Sequence, residues 1–168
     1  MKEAILVSAC LFSIPCRYDG NRASNCLSEE IQSFLKQNFV LVPVCPEQSG
    51  GLSTPRKCME IQGGDGFGVL EKKAFVKSQD GENFTSRLIL GAEIVYNIAL
   101  ITKATMMLGQ RKSPSCSCSQ IYEGSFQGKL IQGYGVTTAF LSNHGIKVLD
   151  TENMDTLFYG KEWQCPGN

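Results

Sequence analysis

Four short apolar runs punctuate the chain, each bounded by turn residues. AILVSA (4–9), FVLVPV (39–44), ATMML (104–108) and IKVLD (146–150) are largely apolar at successive positions. That pattern marks strands buried on both faces. Pro43 cannot donate to a ladder, which puts the second strand near a sheet edge or at its own end. Helical spacing fills the intervals. Leu27, Ile31, Phe34 and Leu35 share one face of a helix that Asn25 or Ser28 caps and that runs to about Lys36. Leu88, Ala92, Val95, Ala99 and Leu100 mark a longer helix from Asn83 or Thr85 to about Thr102. Val136 to Asn143 form a short third helix ended by His144-Gly145, with the glycine as a left-handed cap. Strands alternating with helices predict an α/β fold: a single Rossmann-like domain over 1–168, with a mainly parallel sheet flanked by helices.

The remaining segments carry weaker patterns. Residues 46–68 (PEQSGGLSTPRKCMEIQGGDGFG) read as one long loop that begins at a strand end and holds Glu47, Arg56, Glu60 and Asp65. A loop that long in a compact domain is usually functional or disordered, and the position of this one makes it site-forming. Residues 69–77 read as a strand or extended arm, and 121–135 as Gly-rich and irregular. The tail after Asp150 shows no period, and Trp163 is the residue that could dock it.

Composition narrows the class. Hydrophobic residues make up 42% of the 168 residues, and 16 basic residues balance 16 acidic ones. A nucleic-acid partner is not indicated, because phosphate binding calls for a basic excess or stripe. No secretory leader is visible, and no stretch reads as the ~18 apolar residues that span a bilayer. The expected location is therefore cytoplasmic, without a membrane partner. The sequence leaves the oligomeric state open. Eight cysteines in a reducing compartment point to metal binding or catalysis rather than to disulfides.

Three of those cysteines stand out. Cys10 ends AILVSAC, Cys45 ends FVLVPVC, and Cys116 follows the third strand in ATMMLGQRKSPSC. In open α/β sheets, ligands bind outside the carboxyl ends of the strands. Three thiols arriving there from distant parts of the chain point to a shared site. Three thiolates can hold an iron–sulfur cluster and leave one iron free for substrate. The plainer alternative is that they are buried as small apolar residues. The three have no C-x-x-C spacing, which disfavours a zinc ribbon.

A series of segments then resembles the bacterial thiouracil desulfurase family. They are SACL (8–11), CRYDG (16–20), CPE (45–47) with a following GG, PR (55–56), ME (59–60), GA (91–92), SPSC (113–116), IYEGSFQGK (121–129), GYGVTTAFL (133–141) and GI-V (145–148). They run in order through almost the whole chain, and their specificity lies in the set. The resemblance implies a [4Fe-4S] cluster held by Cys10, Cys45 and Cys116, with the fourth iron open. It implies a thiolated nucleobase as the small-molecule substrate, converted without redox change from thiouracil to uracil plus sulfide. It also implies proton-handling roles for Glu47 and, on the substrate side, Ser113.

Two positions depart from the family pattern. Ser13 stands where the family has glycine after CLF, and Ser117-Cys118 follows SPSC where the family has glycine. Cys118 could supply a fourth ligand, which would close the open iron. The remaining polar set is Arg17, Tyr18, Asp19, Arg56 and Glu60, for which an arginine–carboxylate brace between loops competes with substrate contact. Asp19-Gly20 is also an ordinary turn. Ser115 is a weaker candidate beside Ser113. Tyr122 and Phe126 could stack on a flat ring or belong to the core. Cys16, Cys26, Cys58, Cys165 and the lone histidine, His144, receive no role. Two rival functions use the same residues: a sulfur donor working on the cluster in the opposite sense, and a non-catalytic binding module closed by Cys118.

Overall fold

The computed structural model describes residues 2–22, 26–151 and 154. The expected docking of Trp163 and the residue Cys165 lie outside them. At the centre is a four-stranded parallel sheet. Its strands are β1 (Glu3–Ser8), β2 (Phe39–Val44), β5 (Met106–Gly109) and β8 (Lys147–Asp150), ordered β2-β1-β5-β8. These are the four apolar runs, so the parallel α/β architecture follows the sequence reading. Pro43 lies near the end of β2, which is an edge strand.

Strand alternation sends neighbouring side chains to opposite faces. Ile5, Val7, Leu108 and Leu149 pack on one face against Leu35 of helix α1 (Glu29–Asn38). Leu6 and Met107 pack on the other, against Val95 and Ala99 of α4 (Thr85–Thr102) and Leu141 of α5 (Val136–Asn143). Ser28 caps α1 by accepting the Ile31 amide at 3.4 Å. Gly145 takes the left-handed conformation behind α5, at φ 77°. Over its eighteen residues α4 is apolar enough to pass a length-and-composition test for a membrane span, a property the sequence reading passed over. In this fold it packs against α5, against the sheet and against the short helix α2 (Pro46–Ser49).

The irregular segments hold more structure than their sequences announced. The 46–68 stretch is not one loop. It contains α2, strand β3 (Met59–Gln62) and the start of helix α3 (Gly66–Leu70). Asp65 caps α3, its carboxylate accepting the amides of Phe67 and Gly68 at 3.0 and 3.3 Å. Residues 69–77 are not a single strand either. They finish α3, turn, and enter β4 (Phe75–Ser78), which pairs antiparallel with β3. The 121–135 segment contains a small hairpin, β6 (Gln120–Tyr122) on β7 (Leu130–Gln132). Met59, Ile61, Val76, Leu88, Ile121 and Val136 form the apolar core beneath these two hairpins.

Candidate functional site

The carboxyl ends of β1, β2 and β5 open into a cavity of about 410 Å³. Cys10, Cys45 and Cys116 all line it. Cys10 sits in a 3-10 turn (Ala9–Phe12) directly after β1, and Cys45 stands at the head of α2 directly after β2. Cys116 lies further from its strand than the other two, but its loop folds back. A side chain at Gly109, the last residue of β5, would stand 2.2 Å from the Cys116 carbonyl. The missing Cβ therefore permits the close approach that returns Cys116 to the strand end.

Cys58 and Cys16 line the same cavity as well, and Cys16 is the buried one of the two. Its side chain adjoins those of Cys10 and Cys45. The Cys45 thiol donates to the Cys16 carbonyl at 3.7 Å, and the Cys10 thiol donates to Gln110 Oε1 at 3.9 Å. Cys16 is 2% exposed, although its sequence position, away from any strand end, gave it no role. Its place inside the CRYDG match was the clue. Cys118 is not among the residues lining the cavity.

The environment holds Cys16, Cys45 and Cys116 in their protonated form. Burial pushes Cys116 up to about 12, against opposing hydrogen bonds from Ser8 and Ser113. Cys16 rises to about 11, chiefly through its hydrogen bond with Cys10. Cys45 is pushed well above the usual thiol range, first by its hydrogen bond with Cys16 and then by burial.

Glu47 follows Cys45 by two residues, lines the cavity and is 8% exposed. Both its oxygens have partners. Arg56 Nε donates to Oε2 at 2.6 Å, and the Ser115 hydroxyl, itself fully buried, donates to Oε1 at 3.1 Å. The rest of the Arg56 guanidinium is committed to the framework. Nη2 donates to the Cys16 carbonyl at 2.9 Å, and Nη1 donates to Ser53 O at 3.2 Å and Thr54 Oγ1 at 3.1 Å. Arg56 is therefore the loop brace among the two possibilities its sequence allowed. Glu47 is seated by a glycine contact as well. A side chain at Gly91 in α4 would stand 2.0 Å from the Pro46 carbonyl, so only glycine lets α2 lie this close.

Ser113 lines the cavity and its oxygen accepts the amides of Ser115 and Cys116, both at 3.1 Å. The same hydroxyl bonds the Cys116 thiol, so Ser113 ties the turn to that side chain. Arg17 and Tyr18 line the cavity too, the guanidinium lying 5.5 Å from the Tyr18 ring centroid. Arg111, Lys112 and Tyr122 complete the polar rim, none of which the sequence reading chose for the site with any weight.

Two sequence candidates lie elsewhere. Asp19 is exposed and accepts the Asn21 amide at 3.0 Å, as an ordinary Asp-Gly turn does. That bond is the main reason its carboxyl lies below the usual carboxylate range. Glu60 is buried, but its carboxylate accepts the amides of Gly124 and Phe126, both at 2.9 Å, and so organises the loop after β6. Neither lines the cavity.

The donor set has the chemistry that an iron–sulfur cluster requires. Buried, soft sulfur ligands suit iron–sulfur clusters and zinc. On one tetrahedral zinc, thiolates sit about 2.3 Å from the metal and so roughly 3.8 Å apart. No group of three or more His, Cys, Asp or Glu among the described residues is gathered tightly enough for a single ion. A cubane gives each thiolate its own iron and so spreads its ligands more widely.

Comparison with known proteins decides the family. Residues 5–153 match 2-thiouracil desulfurase. The chain belongs to the 2-thiouracil desulfurase family. Within the family's reach, the chain is 38% identical over 153 residues to the uncharacterized protein YbbK of Bacillus subtilis (strain 168), covering 91% of this chain and 99% of that one. Its fold is similar to that of the [4Fe-4S]-dependent thiouracil desulfidase TudS, with a TM-score of 0.82 and 34% identity over 95% of this chain and 97% of the other. The resemblance read from short segments thus extends to the whole described fold.

Proposed function

We propose that this chain carries a [4Fe-4S] cluster on Cys10, Cys45 and Cys116 and desulfurises a thiolated pyrimidine. The observation that carries the reading is the convergence of the three thiols with Glu47 and Ser113 on one cavity. The cluster dependence of its structural relative TudS supports the choice of cofactor. Held by these three cysteines, the cluster would supply a Lewis-acidic iron to polarise the thiocarbonyl.

The protein residues handle position and protons. Arg56 and Ser115 fix the Glu47 carboxylate from behind, and each carboxylate oxygen keeps a lone pair for the cavity. Glu47 takes a proton from the water that attacks the thiocarbonyl carbon and returns it to the base. Ser113 donates a hydrogen bond to the ring and keeps its proton. The new carbon–oxygen bond forms as the carbon–sulfur bond breaks, and sulfur departs with the bonding pair. Thiouracil and water become uracil and hydrogen sulfide, with no net oxidation or reduction. The expected location of this activity is the cytoplasm, and the expected partner is the free small molecule.

The test is stoichiometric. Anaerobically reconstituted protein, given 2- or 4-thiouracil, is expected to release one sulfide for each uracil formed. Glu47→Gln should keep its iron yet lose turnover by about 10²–10⁴-fold. Uracil formation undiminished in Glu47→Gln would remove that residue from the chemistry, and absence of sulfide release from either substrate would overturn the activity. A closed, non-catalytic site would need a fourth ligand; Cys118 does not line the cavity, whereas Cys16 and Cys58 do, so undiminished iron in Cys16→Ala and Cys58→Ala would separate the open site from the closed one.

A further inference from the structure

We infer that Cys16 is a positioning residue of the cluster site: its thiol donates a hydrogen bond to the edge formed by the Cys10 and Cys45 thiolates and does not ligate iron. The inference rests on the three-cysteine reading above and concerns a residue to which that reading gives no part.

Three observations carry it. The Cys16 side chain is 2% exposed and lines the cavity, so it faces the cofactor site rather than solvent. It packs in one small cluster with Cys10 and Cys45. Its backbone is held, because its carbonyl accepts Arg56 Nη2 at 2.9 Å. A ligand of the open iron would stand at the fourth corner of a tetrahedron, equally far from the three ligand sulfurs. Cys16 instead packs with Cys10 and Cys45, while Cys116 belongs to a different packing cluster. That is the location of a group alongside one edge of the cluster. The same Arg56 side chain that holds the Cys16 carbonyl holds Glu47, so one residue sets both the proton relay and the edge donor.

A thiol is a weak donor, but a donor beside a cluster sulfur favours the more reduced, more negative cluster. The partners around ligands tune them in this way. Removing Cys16 should therefore lower the cluster's reduction potential without removing iron.

The experiment compares reconstituted wild type, Cys16→Ala and Cys16→Ser by iron and acid-labile sulfide content and by a redox titration followed by electron paramagnetic resonance. The expected result is undiminished iron in both variants, a more negative midpoint in Cys16→Ala, and a midpoint restored toward wild type in Cys16→Ser, whose hydroxyl can donate. Loss of iron in Cys16→Ala while the folded variant keeps its wild-type circular dichroism would make Cys16 a ligand and overturn the inference. An unchanged midpoint in Cys16→Ala would overturn it as well. Wild type that binds no cluster would instead defeat the three-cysteine reading, and the two failures are thereby told apart.

Discussion

Arg56 and Glu47 form a buried ion pair at 2.6 Å, with side chains 6% and 11% exposed. Both residues lie in the segment between β2 and β3, and the same guanidinium ties that segment to the loop after β1 through the Cys16 carbonyl. Breaking a buried pair by removing one partner costs about 3–5 kcal/mol, because the other charge is left uncompensated. Arg56→Ala should therefore lower stability by about that amount. Arg56→Lys keeps the charge but loses the planar fork that serves several acceptors at once. Urea denaturation is expected to rank the proteins wild type, Arg56→Lys, Arg56→Ala in falling stability. Equal midpoints for all three would remove the brace from the account.

Gly91 sets the height of α2 above α4. Its substitution by alanine drives a Cβ to within 2.0 Å of the Pro46 carbonyl unless the helices move. Overpacking of this kind costs about 1–3 kcal/mol. Because Glu47 is the next residue after Pro46, Gly91→Ala should also slow desulfuration. A variant with full stability and full turnover would mean that α2 has slack the packing does not indicate.

The metal-free protein should weaken in alkali. An unfolded thiol titrates near 9.0, whereas burial holds Cys116 up to about 12. Between those values the folded state binds more protons than the unfolded one, so stability falls as pH rises. Below pH 9 the thiol is protonated in both states and contributes no slope. Melting temperatures of metal-free protein are expected to drop from pH 9 upward, and Cys116→Ala should reduce that slope. A flat profile over this range would contradict the buried thiol.

Ser13 occupies a glycine position of the family pattern and adopts the glycine-like backbone, at φ 63°. The departure therefore leaves the loop angle intact, and the Ser13 hydroxyl donates to Cys26 Sγ at 3.4 Å. Left-handed backbone costs a non-glycine residue roughly 1–2 kcal/mol. Glycine and alanine both remove the hydroxyl, so their difference isolates the backbone cost. Ser13→Gly should be more stable than Ser13→Ala by about 1 kcal/mol, read from urea midpoints.

The contrast between what could and could not be read beforehand has a physical basis. Ile5, Leu6, Val7, Met107 and Leu108 are buried in a sheet covered on both faces, so their runs declare strands without tertiary information. The β3–β4 and β6–β7 hairpins are strands of only three or four residues, too short for a period to emerge. Strand ends announced Cys10 and Cys45. The third strand announced Cys116 as well, though not the Gly109 contact that returns it to the strand end, and Cys16 needed a loop fold that no local pattern encodes. Asp19 and Glu60 share the residue type of a catalytic group but spend their oxygens on backbone amides. Motif membership alone could not separate Glu60 from Glu47, because the difference lies in which side chain reaches the cavity.

The most direct test of the account is the iron and acid-labile sulfide content of anaerobically reconstituted protein and four single variants. Wild type and Cys118→Ala are predicted to hold about four of each per chain. Cys10→Ala, Cys45→Ala and Cys116→Ala are predicted to fall well below that value. Full loading without one of these three, or loss of the cluster on removal of Cys118, would contradict the three-cysteine site.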